Sequence, residues 1–93
     1  MTIFAARINE TLNLTGLNAS NLAVITGDAD MDITGTWTGG ISLQRKLDNS
    51  NWSTVETFTS NASRFVESRS REVSYRFLVT STGTGTANIC LAQ

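Results

Sequence analysis

Val73, Tyr75, Phe77 and Val79 alternate with Ser74, Arg76, Leu78 and Thr80, which makes this the most regular stretch of the chain. A period of two puts one set of side chains on one face of an extended strand and the other set on the opposite face. On a helix the same residues would scatter around the circumference and bury nothing coherent. No window of eleven or more residues keeps the i, i+3, i+4, i+7 apolar spacing of a core helix. The chain therefore reads as all-β.

Other strands follow from the same rule. Ala87, Ile89 and Leu91 alternate with Asn88, Cys90 and Ala92, and Ser81-Thr-Gly-Thr-Gly85 between the two runs predicts a glycine hairpin joining them. Ile41, Leu43, Arg45 and Leu47 alternate with Ser42, Gln44, Lys46 and Asp48, and Asp48-Asn-Ser-Asn51 supplies turn residues. The return strand carries Trp52, Val55 and Phe58, whose three-residue spacing breaks the alternation and predicts a β-bulge. Upstream, Met31, Ile33, Gly35 and Trp37 form one run and Leu22 to Thr26 another, and Leu12 and Leu14 alternate within Asn9 to Leu17. Phe65 and Val66 mark one more short strand, and Ile3 to Ile8 reads as a strand or an arm.

About seven to nine short strands broken by Gly, Asn and Ser predict an antiparallel β-sandwich, jelly-roll or immunoglobulin-like, with no core helix. Its two sheets would enclose Trp37, Leu43, Trp52, Phe58, Tyr75, Phe77, Ile89 and Leu91. At 93 residues and 10.1 kDa the chain suits one domain spanning 1–93, with residues 1–8 as an N-terminal arm or edge strand.

Composition narrows the chemistry. With no histidine and one cysteine, Cys90, the chain can assemble no Ser-His-Asp triad, Cys-His dyad, internal disulfide or Cys/His zinc site. Seven Lys and Arg against eight Asp and Glu leave a net charge of −1, without the positive field that nucleic-acid binding needs. Charged residues are only 16% of the chain, and 24 Ser and Thr carry much of its polarity, a surface suited to contact with other proteins and equally to a soluble sheet protein. Six of the seven cations are Arg, a bias that protein interfaces share. Nothing resembles a targeting segment or a membrane helix, so synthesis in a cytoplasm is expected.

Four local features bear on chemistry. Asp28, Asp30 and Asp32 lie on one side of an extended segment, but Ile33 stands where a calcium loop would place glycine, so a polar strand face is the favoured reading. Arg64, Arg69 and Arg71 are interleaved with Glu67 and Glu72, which favours a solvated hairpin, with a protein interface as the rival. Gly83 and Gly85 lack the following helix that would complete a phosphate cradle. The eight acids need a deep cleft to act as a glycosidase pair, and a small sandwich seldom builds one. No catalytic residue, cofactor or metal site is assigned, and no enzymatic activity is expected.

Gly35-Thr-Trp-Thr-Gly-Gly-Ile-Ser-Leu-Gln-Arg-Lys-Leu-Asp48, then Trp52-Ser-Thr-Val55, Tyr75-Arg-Phe77 and Gly83-Thr-Gly-Thr-Ala-Asn-Ile-Cys-Leu-Ala-Gln93, resemble a pattern of small tailed-phage virion proteins. There a glycine-flanked aromatic strand leads into Leu-Gln-Arg, a turn, a Trp-x-x-Val strand, a Tyr-Arg strand and a closing strand near Leu-x-Gln. The resemblance spans residues 35–93; the family's Asp-Gly turn is replaced by Asp48-Asn-Ser-Asn51. It implies a non-enzymatic virion protein made in the host cytoplasm, foremost a capsid decoration (cement) protein. Its partners would be the major capsid protein or other virion proteins and further copies of itself, as a homo-oligomer, with a trimer at local three-fold positions as the expected form. Ile3, Phe4 and Ile8 of the arm and Arg64, Arg69 and Arg71 are the candidate interface residues. The alternatives are a small carbohydrate- or receptor-binding module using Trp37 or Trp52 as a stacking platform, and a tail or baseplate accessory domain.

Overall fold

A computed structural model describes residues 7–46 and 51–92, with residues 67–72 described as strand backbone only. Six strands occur among them: β1 (Arg7–Asn13), β2 (Ala23–Trp37), β3 (Gly40–Lys46), β4 (Ser53–Phe58), β5 (Ala62–Ser81) and β6 (Gly85–Ala92). All pairings are antiparallel, in one open sheet of order β1-β6-β2-β5-β3-β4. The all-β class thus stands, while the hydrogen bonding draws one continuous sheet rather than two separate ones.

The count is lower than expected because two pairs of runs fuse. The runs Leu22–Thr26 and Met31–Trp37 join in one strand, β2 (Ala23–Trp37). In the structure Gly27 sits at φ 92° inside β2, and the register steps there from Thr26 opposite Glu72 to Asp28 opposite Glu67. Glycine reaches that backbone region without the clash a Cβ would suffer, so the strand continues through an irregularity. Phe65–Val66 and the run from Val73 likewise belong to one strand, the 20-residue β5.

Simple lengths show that the sheet is bent. At about 3.3 Å per residue a straight β5 would exceed 60 Å, whereas the longest dimension of the molecule is 37 Å. The β2–β5 ribbon therefore curls, and its two ends share one core. Ile8, Leu12, Ile89 and Leu91 from the β1–β6 end belong to the same buried cluster as Ile41, Leu43, Phe58 and Phe77 from the β3–β4 end. With no helix among the described residues, the sheet itself must cover its apolar face. Leu43, Phe58, Tyr75, Phe77, Ile89 and Leu91 are all buried as the alternation required.

The curl brings two connections together. Trp37 lies opposite Gly85 and Gly40 opposite Ser81, so the link from β2 to β3 packs against the link from β5 to β6. Thr38 N–H donates to Thr84 O (2.9 Å), and Thr84 N–H donates to Thr38 Oγ1 (2.8 Å). Gly83 is needed there because a Cβ on it would lie 2.2 Å from Thr38 O. The expected β5–β6 hairpin is thereby corrected: β6 pairs with β1 and β2 and not with β5. A glycine-rich link between two alternating runs fixes that the chain turns, not which strand it turns to pair with.

The bulge expected near Val55 is present. Leu43 is opposite Glu56 and Gln44 opposite Thr54, so Val55 is the extra residue in β4. It points out to solvent, and Phe58 beyond it is buried. β3 and β4 pair as expected, while the turn at residues 47–50 lies outside the described residues. A single bridge between Ala19 and Leu78 extends the ladder, with Ser20 N–H on Phe77 O (2.8 Å) and Val79 N–H on Asn18 O (2.8 Å).

Candidate functional site

Alternation places the polar residues of β1, β6, β2 and the first part of β5 on the convex outer face. Register aligns them in rows across the strands: Arg7, Ala92, Asp30 and Phe65 in one, Asn9, Cys90, Asp32 and Ser63 in the next. These side chains are mostly short, so the face is a polar platform. Its relief is a shallow depression lined by Asp30, Met31, Asp32, Ser63, Arg64 and Phe65. Ser63 Oγ donates to Asp32 Oδ1, which occupies one carboxylate of the Asp28, Asp30, Asp32 row. Among the described residues no group of three or more His, Cys, Asp or Glu is arranged to hold a metal ion.

Arg64 stands at the flank of this face. Its Nε donates to both Glu56 carboxylate oxygens (3.2 and 3.1 Å), its Nη1 to Ser63 O (2.9 Å), and its guanidinium lies 5.4 Å from the Phe58 ring centre. The residue closes the gap between β5 and β4 while remaining exposed. Arg69 and Arg71 lie in the part of β5 described as backbone only, and Ile3 and Phe4 lie outside the described residues. Ile8, expected at an interface, is corrected: it is 1% exposed, seated in β1 opposite Leu91, and belongs to the core.

The two tryptophans differ. Trp37 packs half-buried against the core, and its Nε1 donates to Asn61 Oδ1. Trp52 is corrected from core to surface. It lies just before β4, partly exposed, with the Arg76 guanidinium 4.4 Å and the Lys46 ammonium 5.3 Å from its ring centre. Arg76 is itself oriented by Nε donating to Gln44 Oε1 (2.9 Å). Both cations come from neighbouring strands, since Gln44 is opposite Arg76 and Lys46 opposite Ser74. A cation–π stack satisfies the ring at the surface as packing would in the core.

Phe65 is the residue that the sequence reading passed over. It is 66% exposed, an unusual state for phenylalanine, and sits between exposed Arg64 and buried Val66. Two consecutive apolar residues on one strand must point to opposite faces, so the pair Phe65-Val66 already required one of them to face outward. Neighbouring Cys90 is half-buried on the outer face between Asn9 and Asp32. No family model, no curated protein and no solved structure matches the chain.

Proposed function

We propose that the chain is a non-enzymatic phage virion protein, a decoration (cement) protein that seats on the outer capsid and stabilises it. The observation that supports this reading is the polar platform built by β1, β6 and β2, where Asn9, Thr11, Asn88, Asp32 and Thr34 are exposed side by side. Short hydroxyl, amide and carboxylate side chains lose little conformational entropy on contact and suit packing against another protein surface. The sequence resemblance over residues 35–93 supplies the identity of that surface, the major capsid protein or another virion protein. Self-association belongs to the same reading, as does a location on the virion after synthesis in the host cytoplasm. On a lattice, modest contacts per copy add up where several are engaged at once.

Cosedimentation of the purified chain with shells that lack it tests the reading. Saturable binding that raises the temperature of shell disruption is expected. Binding to isolated tails alone would move the protein to a tail or baseplate role, and binding to neither would overturn the proposal. A carbohydrate- or receptor-binding module is the second reading, favoured by the partly exposed ring of Trp52. It requires a glycan-dependent change in the fluorescence of that ring.

A further inference from the structure

Two cations converge on one surface ring. Arg76 of β5 and Lys46 of β3 lie diagonally across their ladder, since Gln44 is opposite Arg76 and Lys46 opposite Ser74. The Arg76 guanidinium is 4.4 Å and the Lys46 ammonium 5.3 Å from the centre of the same Trp52 ring, so the two positive charges are neighbours. All three side chains are half-buried and none is covered over. Among the described residues neither cation has a carboxylate partner, whereas Arg64 is paired with Glu56. Like charges held this close raise the positive potential around them, and an anion arriving there is attracted by both.

The donors are aimed in advance. Gln44 is only 9% exposed, and its Oε1 accepts the Arg76 Nε at 2.9 Å. A buried amide thus fixes the orientation of the guanidinium from one side. With Nε held, the Nη1 and Nη2 pair remains, a fork that matches the two oxygens of a planar carboxylate. Lys46 adds a point charge that makes no demand on angle. The exposed part of the Trp52 indole is an apolar surface beside these charges, and Ser53 and Thr54, next in the chain, are exposed hydroxyls.

We propose that Trp52, Arg76 and Lys46 bind an acidic saccharide, a sugar ring that carries a carboxylate. The carboxylate would lie on Arg76 and Lys46, and the sugar ring against the indole with its hydroxyls toward Ser53 and Thr54. A neutral sugar would leave both cations unanswered, and a bare anion would leave the indole unused. The proposal rests on the carbohydrate-binding reading of Trp52 and is independent of the capsid reading.

Titration calorimetry of the unmodified full chain with three probes at millimolar concentration tests it. Glucuronate carries both ring and charge, its methyl ester keeps the ring without the charge, and acetate keeps the charge without the ring. Saturable binding of glucuronate, about tenfold or more tighter than of either control, is expected, as a charge-assisted hydrogen bond allows. In Trp37→Phe, whose emission comes from Trp52, glucuronate should change that emission over the same concentrations. Arg76→Gln should weaken glucuronate about tenfold or more with an unchanged circular dichroism spectrum, and Lys46→Gln by a smaller factor. Equal binding of the methyl ester, or full binding by Arg76→Gln, would overturn the acidic assignment and leave the carbohydrate reading standing. Equal binding of acetate, or no binding of either sugar, would overturn both.

Discussion

Trp37 Nε1 donates a 2.8 Å hydrogen bond to Asn61 Oδ1, fastening the end of β2 to the turn that opens β5. Asn61 Nδ2 in turn donates to Gly35 O at 3.0 Å, so one amide holds both the ring and the backbone of the same strand. Asn61→Ala removes both bonds at once. A loss of about 1–2 kcal/mol is expected, since each net bond contributes roughly 0.5–1.5 kcal/mol and the site is partly wet. Urea titration followed by tryptophan emission measures it, and a loss below a few tenths would mean that the clip is idle.

The crossing of the two links predicts an asymmetry among glycines. A Cβ at Gly83 would meet Thr38 O at 2.2 Å and one at Gly85 would meet Thr36 O at 2.3 Å, with Gly85 also at φ 81°. At Gly16 the nearest atom is 3.4 Å away, on the Asn18 side chain. Gly83→Ala and Gly85→Ala should each cost about 2 kcal/mol or more, within the range of strained backbone substitutions. Gly16→Ala should stay within about 0.5 kcal/mol, as surface changes do. Thermal unfolding of the three variants compares them directly.

Because the two ends of the sheet share one cluster, damage at either end should be felt by the whole. Leu43→Ala in β3 and Leu91→Ala in β6 remove side chains that are 2% and 0% exposed. Each should cost about 2–5 kcal/mol, a large part of the 5–15 kcal/mol typical of a domain. Both should lower one common transition in calorimetry. Two separate transitions would contradict a shared core.

Trp52 and Trp37 should be distinguishable in solution. With Trp37→Phe, emission reports Trp52 alone and should be quenched more strongly by acrylamide than emission from Trp52→Phe, which reports half-buried Trp37. Arg76→Ala removes the guanidinium over Trp52 and should raise that quenching further, at a stability cost of about 0.5–1 kcal/mol for an exposed cation–π pair.

These contrasts show where reading along the chain succeeds. The alternation from Val73 to Thr80 was enough for the class and for the burial of Tyr75 and Phe77, because strand faces are a local property. The bulge at Val55 was legible for the same reason, as a break in a local period. Partner choice is not local, and so a hairpin was read between β5 and β6 where the chain crosses over. The surface position of Trp52 also escaped, because Arg76 reaches it only through the register of β3 with β5. The fusion of Leu22–Thr26 with Met31–Trp37 was not legible, because the register shift at Gly27 that lets β2 run on is set by its pairing with β5. On the candidate interface, Ile8 looked like part of an arm only because nothing in its neighbourhood reveals that Leu91 lies opposite it.

Among the described residues β1 has a single ladder partner, β6, and β6 is inserted between β1 and β2. The first of the described strands thus has no ladder until the last of them has been made. Formation of that ladder is consequently governed by slow long-range closure. Until Gly85–Ala92 docks, Ile8 and Leu12 lack the Leu91 and Ala87 that lie opposite them. Any chaperone dependence of folding should centre on the interval before that ladder closes.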